Sequence, residues 1–298
     1  MKTNHPFSGW GRVCALAALA LVCAFGLTQA SDHSDAPVSG SVTRTDANLS
    51  DFHAFVSGPN LVLAMSTNTG IPRSASSYVF PTDVTFEFNI DVDAPVSPAD
   101  PFGDGGTVLD PHRLGEDITF RIRFRADGSA KVQRIVRGAA GGDPQIVNFF
   151  AGLRDDPFIR GPRQGRNVGS IVLEVPLSSV VASQSTLVMW TTSKVEEFEG
   201  IFQEIAGRSL RSMFPEQNAL NSLHPKHHLH KTGWRPDVMI FDTALPAGFP
   251  NARLLTDDVV DLVGDPRVTS NDAPFPSAND RPFLSAFPYL AEPHPPVP

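Results

Sequence analysis

The sequence predicts a mainly β protein: an antiparallel β-sandwich or barrel-like sheet, with short α-helices confined to the C-terminal third. Three observations carry this expectation. Apolar residues alternate at period two through much of residues 31–193, the mark of half-buried strands. Turn signals such as Gly58-Pro59 and Asp127-Gly128 separate these runs at short intervals. After Ser193 the apolar spacing becomes helical and prolines accumulate.

Each element can be justified in order. "DFHAFVSG" and "NLVLAMSTNT" flank the Gly58-Pro59 turn and form a first hairpin. "DVTFEFNIDVD" places Val84, Phe86, Phe88, Ile90 and Val92 on one face. Its other face carries Thr85, Glu87, Asn89, Asp91 and Asp93, expected to be solvated. "DITFRIRFR" repeats the pattern with Ile118, Phe120, Ile122 and Phe124, and "ADGSA" turns it into "KVQRIV". "GSIVLEVPL" and "STLVMWTTS" add two strands. "KVEEFEGIFQEIAGRSLRSMF" has Phe198, Ile201, Phe202 and Ile205 at helical spacing, with Gly207 as a C-cap. "PDVMIFD" reads as a short buried strand and "TDDVVDLV" as a brief helix capped by Thr256. The tail "FPYLAEPHPPVP" is too rich in proline for regular structure.

Residues 1–30 read as a secretory signal peptide rather than as part of the fold. Lys2 and Arg12 precede the apolar run Val13–Leu27, and "TQA" closes the segment with small or polar residues. A bilayer span needs ~20 apolar residues, so a retained anchor is the lesser reading. A lipid attached at Cys23 is set aside, because Val22 stands where a small residue is expected. Cleavage after Ala30 leaves residues 31–298 as one secreted β-rich domain, strand-rich over 31–193 and mixed helix and loop over 194–298. The expected location is the periplasm or the extracellular space, with no stable membrane anchor once the signal is removed.

Cys14 and Cys23 both fall within the signal segment, so the mature chain has no cysteine for a disulfide, a thiolate nucleophile, an iron–sulfur cluster or a cysteine zinc site. Without Lys2 and Arg12 it carries 22 basic and 32 acidic side chains, a formal net charge of −10. That balance argues against nucleic acid and anionic membrane surfaces as partners.

Five stretches together resemble a known set: "SDHSDAP", "FAGLRDDPF", "NVGSIVLEVP", "PAGFPNARLLTDDVVD" and "FPYLAEPH". In that order the chain is similar to a family of secreted bacterial proteins catalogued as domain of unknown function 4331. The similarity spans the mature chain. It departs from the family pattern at Ala252, usually glycine, and in "LSDFHAF". The resemblance implies secretion and one continuous module, and it brings no catalytic residues with it.

Three groups of residues are candidate metal ligands. Cleavage after Ala30 would expose Ser31, Asp32 and His33, whose α-amine, backbone amides and third-position imidazole suit square-planar Cu or Ni. The alternative is that His33 and Asp35 cap the first strand. "HPKHHLH" offers His224, His227, His228 and His230 to Cu, Ni or Zn. Pro225 opposes a continuous helix and Lys226 and Lys231 repel a cation, so a solvated loop is the plainer reading. Asp91 and Asp93 form a weaker calcium candidate. Arg154, Asp155 and Asp156 of "LRDDPF" suggest a structural polar network, as do Asn251 and Arg253.

No G-x-S-x-G elbow, H-E-x-x-H, Walker loop or Rossmann fingerprint is present. The favoured reading is a non-enzymatic binding or structural module with divalent metal as ligand. The alternative is a hydrolase with a dispersed Asp/His/Arg site, with or without metal assistance, which requires such side chains to converge in a deep pocket.

Overall fold

A computed structural model describes residues 38–39, 42–97, 105–140, 143–159, 163–181, 184–195, 203–209, 219–262 and 277–297. Its strands are β1 (Val38–Ser39), β2 (Val42–Thr43), β3 (Leu49–Ser57), β4 (Asn60–Thr67), β5 (Val84–Asp91), β6 (Val96–Ser97), β7 (Thr107–Val108) and β8 (Ile118–Phe124). They continue with β9 (Ala130–Val136), β10 (Ala139–Ala140), β11 (Asn148–Asp155), β12 (Asn167–Pro176), β13 (Thr186–Val195), β14 (Gln203–Ala206) and β15 (Met239–Asp242). Two α-helices follow the strand-rich part, α1 (Pro225–Thr232) and α2 (Val259–Leu262).

These strands build an antiparallel sandwich. Sheet one has the order β11-β12-β4-β3. Sheet two has the order β10-β9-β8-β5-β13-β14, with β15 pairing along another stretch of β13. The period-two pattern explains the core between them. Phe52, Leu63, Met65, Ile171 and Leu173 of sheet one meet Phe86, Phe88, Phe120, Ile122 and Met189 of sheet two. The hairpins expected at Gly58-Pro59 and Asp127-Gly128 join β3 to β4 and β8 to β9.

The polar face of β5 is not solvated. Thr85, Glu87, Asn89 and Asp91 are buried, and charge and hydrogen-bond partners accompany that burial. Glu87 pairs with Arg121 at 2.6 Å and Lys194 at 2.9 Å, and Asn89 bonds Thr119 and Thr192. Further along the same face, Trp190 packs with Val108, Leu114 and Val238.

Within the segment expected to be helical, the described residues Gln203–Ala206 form β14 instead, paired with Thr191–Lys194. An available ladder on β13 overrides the helical spacing. Ile205 joins the Trp190 cluster, while Glu204 accepts the Leu49 N–H at 2.7 Å and ties the two sheets together. Gly207 is not a helix cap but a close-approach point, since a Cβ there would stand 2.5 Å from Asp237 O. The brief helix near residue 260 is capped by Asp258, whose Oδ1 accepts the Asp261 N–H, rather than by Thr256.

Sheet one has a second face, and the C-terminal part of the chain covers it. Rows running across the strands are Asp51–Ser66–Ser170–Gly152, His53–Ala64–Val172–Phe150 and Phe55–Val62–Glu174–Asn148. Leu255 and Leu290 pack on Phe55, Val62, Ala64 and Val172, with Phe283, Phe287 and Tyr289 around them.

Candidate metal centre

The last register pair of β11 and β12 is Asp155 with Asn167, and both side chains leave the sheet at its end. Pro157 lacks the N–H that would extend the ladder. The three polar residues before it diverge. Arg154 lies 4.5 Å over the Phe150 ring and reaches Glu292 at 2.5 Å. Asp156 caps its own turn by accepting the Phe158 N–H and pairs with Arg163. Asp155 turns toward the C-terminal segment with only 1 % of its surface exposed.

That segment brings two further ligand types to Asp155. Asn167 fixes the backbone of His294 from both sides, accepting its N–H at 2.8 Å and donating to its carbonyl at 3.0 Å. The imidazole is thereby presented with Nε2 2.9 Å from Asp155 Oδ1 and 3.2 Å from Asp280 Oδ1. Asp280 is oriented by the Gly165 N–H, which donates to its Oδ2 at 2.5 Å. Arg73 braces this corner by donating to the carbonyls of Gly165 and Gln164. Asn279 donates to Asp155 Oδ2 at 2.6 Å and to the Arg281 carbonyl at 2.9 Å.

The arrangement leaves one acceptor unserved. The Nε2 of His294 carries at most one proton, and its hydrogen-bond geometry goes to Asp280. Asp155 Oδ1 is therefore buried without a hydrogen-bond partner among the described residues, despite its short contact with the ring. Burial pushes the Asp155 carboxyl up to about 8, opposed by Asn279 and reinforced by Asp280 and Asp156. One ligand atom each from Asp155, Asp280 and His294 lies within 4.8 Å of the other two. A cation with ~2.0–2.2 Å bonds to oxygen and nitrogen can bridge such a set. It would supply the positive charge that the two carboxylates and the orphaned oxygen lack.

Ser31, Asp32 and His33 lie outside the described residues. The histidine stretch does not converge. Pro225 occupies the first turn of α1, where a missing N–H costs nothing, so the stretch is helical rather than an irregular loop. His224 caps that helix by accepting the Lys226 N–H, and its other nitrogen is 2.9 Å from Glu116. His228 is fully buried: Nε2 donates to the Leu223 carbonyl at 2.8 Å and Nδ1 accepts the Asp237 N–H at 3.0 Å. These partners fix a neutral ring with both nitrogens engaged. His227 and His230 remain exposed, and His230 meets His112 edge-to-face at 6.2 Å.

Asp91 and Asp93 do come together with Asp117. Their oxygens, however, face donors. Asp91 accepts the N–H groups of Asp93, Ala94 and Gly115, and Arg137 bonds both Asp93 and Asp117. Calcium takes six to eight oxygen ligands, and this cluster is built around nitrogen donors instead. Asn251 likewise serves its turn, bonding Asp242 and Pro246, rather than Arg253.

Asp, His and Arg also converge at Asp51, His53 and Arg253, where Arg253 pairs with Asp51 at 3.0 Å. All three are buried, with 1 % or less of each residue exposed. A cavity of about 260 Å³ lies elsewhere, and the described residues that border it, among them Val96, Gly106, Thr186, Ile240, Asp242 and Asn251, include neither histidine nor arginine. The crevice beside Asp280 is narrower than a water molecule.

Asp280 and His294 were not singled out in the sequence because they sit in a proline-rich tail far from Asp155. The one available signal was that Asp155, Asn167 and His294 fall in three of the stretches that carry the family resemblance. Compared with family models, curated proteins and solved structures, the chain matches none.

Proposed function

We propose that the protein is an exported, non-enzymatic module that holds a divalent cation of the zinc class at Asp155, Asp280 and His294. The observation that carries this reading is the buried Oδ1 of Asp155, which has no hydrogen bond among the described residues and stands 2.9 Å from the His294 imidazole, beside a second carboxylate. Carboxylate and imidazole together suit Zn(II) or Mn(II) better than the square-planar nitrogen set expected for Cu or Ni at His33. Asn167 and Asn279 act as outer-shell residues that orient His294 and Asp155.

Isothermal titration of the chelator-stripped, untagged protein with Zn(II) tests this reading. One zinc per chain is expected to bind. Asp155→Asn is expected to weaken binding by at least the roughly 10–100-fold typical of losing an outer-shell partner. Asn167→Ala is expected to fall within that range, while His33→Ala leaves the site intact. Unchanged affinity in Asp155→Asn overturns the assignment, and loss of zinc in His33→Ala transfers it to the N-terminal residues.

A further inference from the structure

We infer that a cation at this centre latches segment 280–294 over the second face of sheet one, so that its occupancy governs solvent access to the row begun by His53. The inference rests on the zinc reading above. Two of the three ligands, Asp280 and His294, stand at the two ends of one irregular segment. The third, Asp155, belongs to the end strand of the sheet that the segment covers. One ion would therefore close the segment into a loop and fasten that loop to β11 at a single point. Cross-links of this kind stabilise by removing loop-closure entropy.

Between its ends the segment is held by side chains rather than by a strand ladder among the described residues. Its backbone–backbone bonds are internal, from Leu284 N to Tyr289 O, Tyr289 N to Ala286 O and Leu290 N to Pro288 O. Polar attachments between its ends are the Tyr289 hydroxyl on Ser57 at 2.9 Å and on Glu174 at 3.4 Å, and the ion pair of Glu292 with Arg154. That pair includes a largely exposed carboxylate and holds weakly. The remaining contact is apolar: Leu290 joins Phe55, Val62, Ala64 and Val172, with Phe283, Phe287 and Tyr289 around it, and Ala64 and Val172 are the two residues that follow His53 in its row.

Beside Ala64, the first of those two residues, the face is unusually polar for an interior. His53 is buried and neither ring nitrogen has a hydrogen-bond partner among the described residues. Ser170 Oγ, in the adjoining row, is in the same condition. Asp51 and Arg253 complete the group. Such a face gains more from contact with water than an apolar one when its cover lifts, so local opening is concentrated there.

Carbethoxylation of His53 by diethylpyrocarbonate, followed by mass spectrometry, reads the latch directly. With Zn(II) at about 100 times its Kd, and no affinity of the open form for zinc, the open population falls roughly 100-fold. His53 labelling is expected to slow by that factor in wild type relative to chelator-stripped protein. Asp280→Asn, at the more exposed ligand, is expected to label at the stripped rate even with zinc present. Exposed His227 and His230 report zinc held directly at the surface, which Asp280→Asn at the same zinc concentration separates from the latch. If titration finds zinc bound but His53 labels equally with and without it, the latch is overturned and the centre stands. If wild type binds no zinc, both are overturned.

Discussion

Replacing Arg253 by methionine is expected to lower the unfolding free energy by about 3–5 kcal/mol, measured by urea or guanidinium denaturation. The estimate is that for breaking one side of a buried ion pair. Arg253 and Asp51 are 3.0 Å apart, with 1 % and 0 % of their side chains exposed. The arginine also extends sheet one, since its backbone bridges Ala54 in both directions, and methionine preserves that bridge. What it removes is the guanidinium charge 3.0 Å from the buried Asp51 carboxylate. The double variant Asp51→Leu/Arg253→Met is expected to recover most of the loss, because removing both charges also removes their desolvation cost. A loss below about 1 kcal/mol in Arg253→Met would place the pair among weakly contributing surface bridges.

The second large effect concerns acid. Burial, and then the neighbouring Arg253 charge, hold the His53 imidazole well below its ordinary value. The unfolded chain takes up a proton at this residue as pH falls through ~6.5, and the folded chain does not. The unfolded state then binds more protons, so stability rises with pH over this window and is lost on acidification. The slope is about 1.4 kcal/mol per pH unit below 6.5, continuing until the depressed folded value is reached. Arg253, whose backbone bridges β3 at Ala54, is the charged group that acts on His53, and it pairs with Asp51 at 3.0 Å. His53→Phe is expected to abolish this share of the acid sensitivity. Thermal unfolding of wild type and variant between pH 7 and pH 5 measures the difference, and parallel curves would contradict it.

The strands were readable because their inner faces are nearly pure: Val84 through Val92 and Ile118 through Phe124 alternate as a two-sided sandwich requires. What sequence concealed were faces covered by distant chain. Glu87 and Asn89 look solvated in a window of ten residues, and only the positions of Arg121, Lys194 and Thr192 show otherwise. β14 was misread for a related reason, since helical spacing is a local signal and its ladder partner is on β13. In "HPKHHLH" proximity in sequence suggested a shared ligand sphere. The helix instead sends His228 into the interior, uses His224 as a cap and leaves His227 and His230 outside. The candidate centre shows the converse. Asp155, Asp280 and His294 have no common spacing, and the Asn167 clamp that joins them acts on the His294 backbone rather than through a sequence pattern.

The proposed zinc centre is tested most directly by crystals of the chain from residue 31 onward soaked in Zn(II), measured on both sides of the zinc absorption edge. An anomalous difference peak enclosed by Asp155, Asp280 and His294, and absent from Asp155→Asn crystals, is the expected result. Density without a peak between those three side chains, with zinc found only at exposed histidines such as His227 and His230, would contradict it.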